Sequence, residues 1–398
     1  MRLLYVADGR SPIALNWIKY FVERGHEVHL VSSYPCEAEL PVASLHILPL
    51  AFSRLKSKEA RQGQRGWREA VIRAAFPTRL RTVMRQWLGL LTLPNLARRL
   101  ATLMAQINPQ IIHAMRIPFE GMVTSIALQG EARMRGIPFL VSVWGNDFTL
   151  HAPSSPGMGR YTRFTMKSAT ALHTDCRRDQ RLARQWGFRE DLPAIVLPGG
   201  GGVQLDVFYL PKGEARDAKS AFVINPRGLR AYVRNDVFFK AIPLVLERFP
   251  QTRFVCPGMA GESYAERWVH RLGISRNVEL LPLVRHEQMA NLFRQALIAV
   301  SPSLHDGTPN TLLEAMACGC FPVVGDLESL REWIAPRVNG LLVHPLNEHS
   351  LAEAICIALE DHELCEQAAQ YNTHLIAESA DYRRVMAQAE AFYRNLIG

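Results

Sequence analysis

The 398-residue chain contains no run of about 18 apolar residues, so no segment reads as a membrane-spanning helix. It has no low-complexity tract. Its start, Met1-Arg2-Leu3-Leu4, runs into a strand pattern rather than a secretory leader. The seven cysteines (36, 176, 256, 318, 320, 356 and 365) are scattered without the paired spacing of a zinc site, and Cys318-x-Cys320 alone is weak evidence for a metal. A reduced, cytoplasmic location is the expectation. The three spaced glycines of a dinucleotide-binding turn are also missing, since the loop after the first strand pattern offers only Gly9.

Negative charge is scarce in one place. The formal net charge is +9, yet residues 54–99 hold twelve Lys/Arg against two acids, Glu59 and Glu69. The rest of the chain is close to neutral. Arg65, Arg68, Arg79, Arg81 and Arg85 interleave with Trp67, Val71, Ile72, Phe76, Leu80, Trp87, Leu88, Leu90 and Leu91. This pattern predicts two helices, at about 66–75 and 78–91. Such a basic amphipathic stretch can lie on an anionic membrane surface, at about 1 kcal/mol per Lys/Arg. The plain alternative is a solvated helical face whose arginine stems cover apolar surface. No nucleic-acid recognition module accompanies the charge, so nucleic acid is not an expected partner.

What remains is an alternation of short apolar runs and helical periods, which predicts an α/β protein with parallel sheets. Strand patterns at 2–7 and 27–32 flank a helix at about 13–24, with Ile13, Trp17, Ile18, Phe21 and Val22 on its inner face. Further strands are expected near 110–113, 138–143, 169–174 and 195–198. A helix is expected from about 119 to 135 and another at 177–187. His113, ending a buried strand, is more often structural than catalytic and carries no role here. Pro211 to Ser220 is polar and aperiodic and reads as a linker. The second half restarts at 221–225, with a helix at about 237–247 and strands at 253–258, 278–284 and 340–343. Helical segments at about 351–370 and 381–396 close the chain.

The chain is organised around residues 298–334. An apolar strand ends at Ser301-Pro302, a polar loop runs from Ser303 to Gly307, and a helix follows. Thr308 suits its N-cap and Pro309 its first turn, while Gly319 is placed to end it. A helix start above strand ends presents unpaired N–H groups and a positive dipole, which suit a phosphate. Glu314 shares a face with Asn310 and Thr311. A phosphate repels a carboxylate, so Glu314 and Asp306 are better placed to accept hydrogen bonds from sugar hydroxyls. The alternative is a solvent-exposed Glu on an ordinary helix.

Asp306-x7-Glu314 with Ala-Met-Ala-x-Gly-x-x-Pro-Val-Val resembles the signature of the retaining GT-B glycosyltransferases of family four, which usually carry Glu at both ends of the pair. The resemblance extends over nearly the whole chain. Trp144-Gly145-Asn146-Asp147 resembles the family's His-Gly-x-Asp loop, with Trp144 in the place of the His. Gly199 to Asp206 resembles its Pro-Asn-Gly-Val-Asp segment before the hinge, and Arg227 matches the Arg of its Gly-Arg pair. Arg234 stands in for a Lys several residues on, at a longer spacing.

The resemblance implies two Rossmann-like doubly wound domains facing a central cleft. These would be an acceptor-binding domain at 1–208, a nucleotide-sugar-binding domain at 209–375, and a C-terminal helix at 376–398 returning to the first. It implies Arg227, Arg234 and Asp306 as catalytic residues. Gly307, Thr308, Asn310, Thr311 and Glu314 would bind donor, and Trp144 and Asp147 acceptor or sugar.

No cofactor is expected beyond a nucleoside-diphosphate sugar as substrate. The Asp-x-Asp pair of metal-dependent glycosyltransferases does not occur in the chain. The expected acceptor is a glycan or lipid-linked hydroxyl compound, and a peripheral position at the inner membrane face follows from the basic stretch. The reaction expected is transfer with retention of anomeric configuration. Two other readings stay open: a nucleotide-sugar 2-epimerase, and a non-catalytic, membrane-associated nucleotide-sugar-binding protein.

Overall fold

The computed structural model describes residues 1–50, 86–130, 136–211 and 222–398. It divides into two compact units. Unit 1 comprises Met1–Gly201 with Met386–Gly398, and unit 2 comprises Gly202–Val385. Most of the two helices expected at 66–91, all but Pro211 of the expected linker, and residues 131–135 at the end of the 119–135 helix lie outside the described residues.

Unit 1 is a seven-stranded parallel sheet. In chain order its strands are β1 (Arg2–Ala7), β2 (Glu27–Ser32), β3 (Ser44–Ile47), β4 (Ile111–Ala114), β5 (Phe139–Val143), β6 (Ala171–Thr174) and β7 (Ala194–Val196). Their spatial order is β3-β2-β1-β4-β5-β6-β7, so the direction of progression reverses between β1 and β4. The helices are α1 (Pro12–Glu23), α2 (Leu93–Ile107), α3 (Met122–Gly130), α4 (Pro156–Ser168) and α5 (Arg177–Gln185). Parallel strands covered on both faces are largely apolar, which is why β1 and, apart from Ser142, β5 read as near-continuous hydrophobic runs.

Unit 2 repeats the plan with six parallel strands: β8 (Phe222–Ile224), β9 (Phe254–Cys256), β10 (Val278–Leu280), β11 (Ala296–Ser301), β12 (Phe321–Gly325) and β13 (Leu341–Val343). Their order is β10-β9-β8-β11-β12-β13, with the reversal between β8 and β11. Its helices are α6 (Asn235–Arg248), α7 (Ser263–Leu272), α8 (His286–Gln295), α9 (Asn310–Ala317), α10 (Glu348–Glu360) and α11 (His362–Ser379). A last helix, α12 (Tyr382–Ile397), carries the chain back into unit 1. The doubly wound α/β class expected from the sequence is the one observed.

Two boundaries differ from expectation for local reasons. The helix expected at 351–370 is two helices, because the Asp361 carboxylate accepts from the Leu364 N–H and caps a new start. Helix α2 was hidden by the arginines around it. Its buried residues Leu93, Ala97, Leu100, Ala101 and Met104 nevertheless follow a helical period.

The interior of unit 1 contains a polar chain crossing its sheet. The His173 Nε2 lies 2.9 Å from the Leu197 carbonyl oxygen, so it must carry the hydrogen. Nδ1 then accepts from the Ser142 hydroxyl (2.7 Å). Ser142 in turn accepts from His113 Nε2 (2.7 Å), and His113 Nδ1 from the Tyr393 hydroxyl. Tyr393 accepts from Trp17 Nε1 at 3.1 Å and lies 3.3 Å from the Tyr5 hydroxyl. Both imidazoles are therefore fixed as single neutral tautomers, and His113 is structural. Each partner in this chain is buried. On α12, Glu390 accepts from Tyr20, Arg24, His26 and Arg394. Burial pushes its carboxyl up, but hydrogen bonds led by those of Arg394 and His26 hold it down at about 2.

Burial lowers the His173 pKa to about 4. The unfolded chain therefore takes up this proton first, near the ordinary pKa of about 6.5. The corresponding stability is complete above that value and is lost as pH falls towards 4, a swing on the order of 3 kcal/mol. Urea unfolding should show a lower midpoint at pH 4.5 than at pH 7, with a flatter dependence in His173→Asn. Equal pH dependence in the two proteins would contradict this assignment.

Candidate active site

In doubly wound sheets, ligands bind beyond the carboxyl ends of the strands where the order reverses. In unit 2 that place is the pair of loops after β8 and β11. The loop after β8 is held from below by two buried amides. The Asn225 side-chain amide donates to Asn235 Oδ1 (2.9 Å), and Asn235 Nδ2 donates to the Gly228 carbonyl (3.1 Å). Gly228 has φ +60°, a conformation that glycine adopts without strain. The loop then runs alongside its neighbour: Leu304 N–H donates to the Tyr232 carbonyl and Arg234 N–H to the Pro302 carbonyl, both at 2.9 Å.

This arrangement brings Arg227 and Asp306 together. Arg227 Nη2 donates to both Asp306 oxygens, at 2.8 and 3.0 Å, and Nη1 donates to the Thr311 hydroxyl at 3.1 Å. Both residues are buried, and Arg227 Nε has no partner among the described residues. Ser329 Oγ fixes the Asp306 carbonyl at 2.7 Å. Beneath the loop is Gly325, where a Cβ would lie 2.6 Å from the Ser303 carbonyl oxygen, so any side chain there would displace the segment leading to Asp306. A carboxylate one methylene shorter than Glu is thus seated directly on the guanidinium.

Helix α9 begins at Asn310, with Pro309 as its N-cap, one residue later than expected. Thr308 does not cap the helix. Its hydroxyl instead accepts from the Trp333 indole N–H at 3.0 Å. Pro309, with φ −69° and ψ 125°, occupies the extended conformation of a cap residue. Gly319, with φ +75°, ends the helix as expected: Gly319 N–H reaches the Met316 carbonyl and Cys320 N–H the Ala315 carbonyl. Gly307 and Thr308 are buried in the turn, and Asn310 and Thr311 occupy the first two helical positions.

Glu314 is one turn further along, with its Oε1 3.5 Å from His286 Nε2. The hydrogen bond to Glu314 raises the His286 pKa. Arg234 does not reach Arg227's partners. It forms a fork with Asp236, at 2.7 and 2.5 Å, which holds the Asp236 carboxyl below its ordinary range. The structure thus brings together Arg227, Asp306 and Thr311 directly, places Glu314 on the same helix, and leaves Arg234 clasped at the start of α6. Asn225, Asn235, His286, Ser329 and Trp333 were not singled out by sequence. The signal for them is their position at strand ends or helix starts, which becomes visible only once strand order is known.

Trp144 and Asp147 belong to unit 1, in the loop after β5. Asp147 points inward. Oδ1 accepts from Arg116 at 2.9 Å, and Oδ2 accepts from the N–H groups of Ile117 (3.1 Å) and Trp144 (3.3 Å). The carboxylate therefore organises its loop. Arg178 adds a second hold by donating to the Gly145 carbonyl at 2.8 Å. Trp144 is half-buried.

Two family models match the chain: one described as Glycosyl transferases group 1, over residues 210–375, and one as Glycosyl transferase 4-like domain, over residues 9–200. A D-inositol 3-phosphate glycosyltransferase of Mycolicibacterium smegmatis is 29% identical over 215 residues, covering 50% of this chain and 48% of that protein. Matched stretches span from about a quarter to about half of the length of the curated relatives. A sucrose-phosphate synthase from Thermosynechococcus elongatus superposes with a TM-score of 0.75 at 15% identity, covering 100% of this chain and 99% of that one. HepE of Anabaena, in complex with UDP, superposes with a TM-score of 0.71 at 15% identity, covering 99% and 100%. At such identities the structural likeness establishes the fold.

The Arg227–Asp306 pair makes a stability prediction. Removing one partner of a buried ion pair costs about 3–5 kcal/mol, because the other charge stays buried. Asp306→Ala should lower the thermal midpoint accordingly, and inorganic pyrophosphate should restore part of the loss by occupying the guanidinium. An Asp306→Ala protein melting like the wild type would contradict the pairing.

Proposed function

We propose, from the premise that the chain belongs to the glycosyl transferases group 1 family and has its GT-B fold, that it moves a sugar from a nucleoside-diphosphate sugar to a hydroxyl acceptor. The anomeric configuration is kept and no metal takes part. The observation that carries this reading is the Arg227 guanidinium held by Asp306 and Thr311 against the start of α9. A diphosphate suits that place. It meets Arg227, the N–H groups of the Gly307–Thr311 segment, and Arg234 once Arg234 turns from Asp236. Arg can neutralise a phosphate where a Lys would, through a planar fork.

Arrival of the diphosphate changes the partner of Arg227. Phosphate oxygens compete for the guanidinium, and the Asp306 carboxylate is released to accept hydrogen bonds from hydroxyls of the transferred sugar. Glu314 takes the ribose diol. Cleavage of the bond between anomeric carbon and phosphate oxygen leaves an oxocarbenium-like centre and a negatively charged leaving group. Positive groups already aimed at that charge stabilise it without reorganisation. They also occupy the role that a cation held by paired aspartates plays in metal-dependent relatives. The acceptor oxygen forms the new bond on the face that the phosphate leaves, and its proton passes to the departing phosphate oxygen. In unit 1, Trp144 offers a stacking surface for an acceptor and Asp147 holds its loop.

The Anabaena HepE has also been crystallised in complex with UDP-glucose, which supports a nucleotide-sugar donor here. Incubation with a panel of nucleotide sugars and hydroxyl acceptors, reading release of nucleoside diphosphate, tests the proposal. Arg227→Ala should lower kcat by about 10² to 10³, and a chelator should leave turnover unchanged. Conversion of donor alone into a 2-epimer would establish the epimerase reading. Binding without turnover would establish the non-catalytic one.

The charge of residues 54–99 supports a lipid-linked acceptor and an anionic membrane face. Among the described residues no helix is long and apolar enough to cross a membrane, while Trp87 and Leu91 stand exposed. Sedimentation with vesicles containing anionic lipid should be strong at low salt and fall as ionic strength rises. Equal sedimentation with neutral vesicles would contradict it.

A further inference from the structure

The reversal in strand order of unit 1 lies between β1 and β4, and the residue that emerges there is Arg116. No sequence motif singled it out. Its side chain is partly exposed, at 27%, and is held by Asp147 Oδ1 (2.9 Å) and Asn146 Oδ1 (3.3 Å). The guanidinium carbon lies 5.3 Å from the centre of the Trp144 ring. Among the described residues, two N–H groups in this small region have no partner: Arg116 Nε and Trp144 Nε1. An unmade hydrogen bond at a buried donor costs about 1–3 kcal/mol, so one orphan calls for an explanation. Two adjacent orphans at the ligand-binding edge of a doubly wound sheet point to a ligand that accepts hydrogen bonds.

The local charge indicates which ligand. Arg116 is already neutralised by Asp147, and Glu120 is buried four residues away in the same segment, bonded to Ser33. An anion arriving here would face four carboxylates, those of Asp147, Glu120, Asp175 on the Gly145 N–H and Asp179, against the guanidinium groups of Arg116 and Arg178. A neutral hydroxyl compound faces no such penalty. Its oxygens accept from the two orphaned donors, and the C–H face of a pyranose stacks on the half-buried indole. The backbone is committed to this arrangement: Phe119, between Arg116 and Glu120, has φ +68° and ψ −56°, a strained conformation for a residue with a side chain. The turn is closed by Gly121 N–H on the Arg116 carbonyl at 2.9 Å.

We propose that Arg116 and Trp144 form a binding subsite on unit 1 for a neutral sugar ring of the acceptor, reading hydroxyl groups through the Arg116 Nε and the indole N–H. Asp147 is the positioning residue that fixes both. The subsite deepens the transferase reading and rests on it for the word acceptor, but not for sugar binding itself.

The test uses the full chain without donor, labelled with 5-fluorotryptophan. Trp144→Phe identifies the Trp144 fluorine resonance among those of the seven tryptophans. Methyl glycosides of glucose, galactose, mannose and N-acetylglucosamine are titrated at millimolar concentration, with inorganic phosphate as the anionic probe. At least one glycoside should shift the Trp144 resonance, phosphate should not, and the shift should be lost in Arg116→Lys. That variant keeps the ion pair with Asp147 and should melt as the wild type does. Arg116→Gln, which keeps a neutral donor, should retain part of the shift. A shift produced by phosphate would overturn the neutral-ring assignment. Absence of a shift with every glycoside, or an unchanged shift in Arg116→Lys, would overturn the subsite. Because no donor is present, failure of the transferase reading leaves this result intact, and turnover without a Trp144 response sinks the subsite alone.

Discussion

One ion pair anchors the loops of unit 2. Arg227 and Asp306 approach from the two strands between which the sheet reverses its order, and neither could be buried without the other. Much of the surrounding detail serves that contact. Asn225 and Asn235 stiffen the loop carrying the arginine, and Ser329 pins the carbonyl of the aspartate. Gly325 leaves room for the backbone above it. A guanidinium balanced by a carboxylate can exist buried without ligand, and in the function proposed here a diphosphate takes the carboxylate's place and frees it for hydroxyl groups.

Unit 1 uses its buried polar groups differently. The chain from Tyr393 through His113 and Ser142 to His173 is closed at both ends, and every hydrogen in it has one direction. Closed networks of this kind fix geometry rather than react. They hold β4, β5 and β6 in register below the loops that carry Arg116 and Trp144. Residues committed to architecture and the residues of the proposed subsite are thus separated by depth: imidazoles and hydroxyls within the sheet, guanidinium and indole at its carboxyl edge.

The sequence made much of this legible because parallel strands are apolar on both faces and because Gly and Pro mark the ends of elements. Strands β1, β2, β11 and β12 and helices α1 and α9 were expected close to where they lie, and Arg227, singled out in the sequence, lies in the buried pair with Asp306. The start of α9 was displaced by one residue because Trp333, distant in sequence, takes the hydroxyl of Thr308. Arg234 was expected beside Arg227, and only the fold reveals its competing partner two residues on. Arg116 was invisible for a topological reason. Nothing local distinguishes it from other arginines, and its importance comes from β4 lying next to β1, a pairing of strands more than a hundred residues apart.

The most direct measurement is a crystal structure of the protein soaked with a nucleotide sugar that it turns over, or with the corresponding nucleoside diphosphate and free sugar. Diphosphate oxygens are expected on the Arg227 guanidinium and at the first N–H groups of α9, with Asp306 swung from Arg227 to a sugar hydroxyl and Glu314 on the ribose. A diphosphate bound elsewhere in unit 2, with the Arg227–Asp306 contact unchanged, would contradict this arrangement.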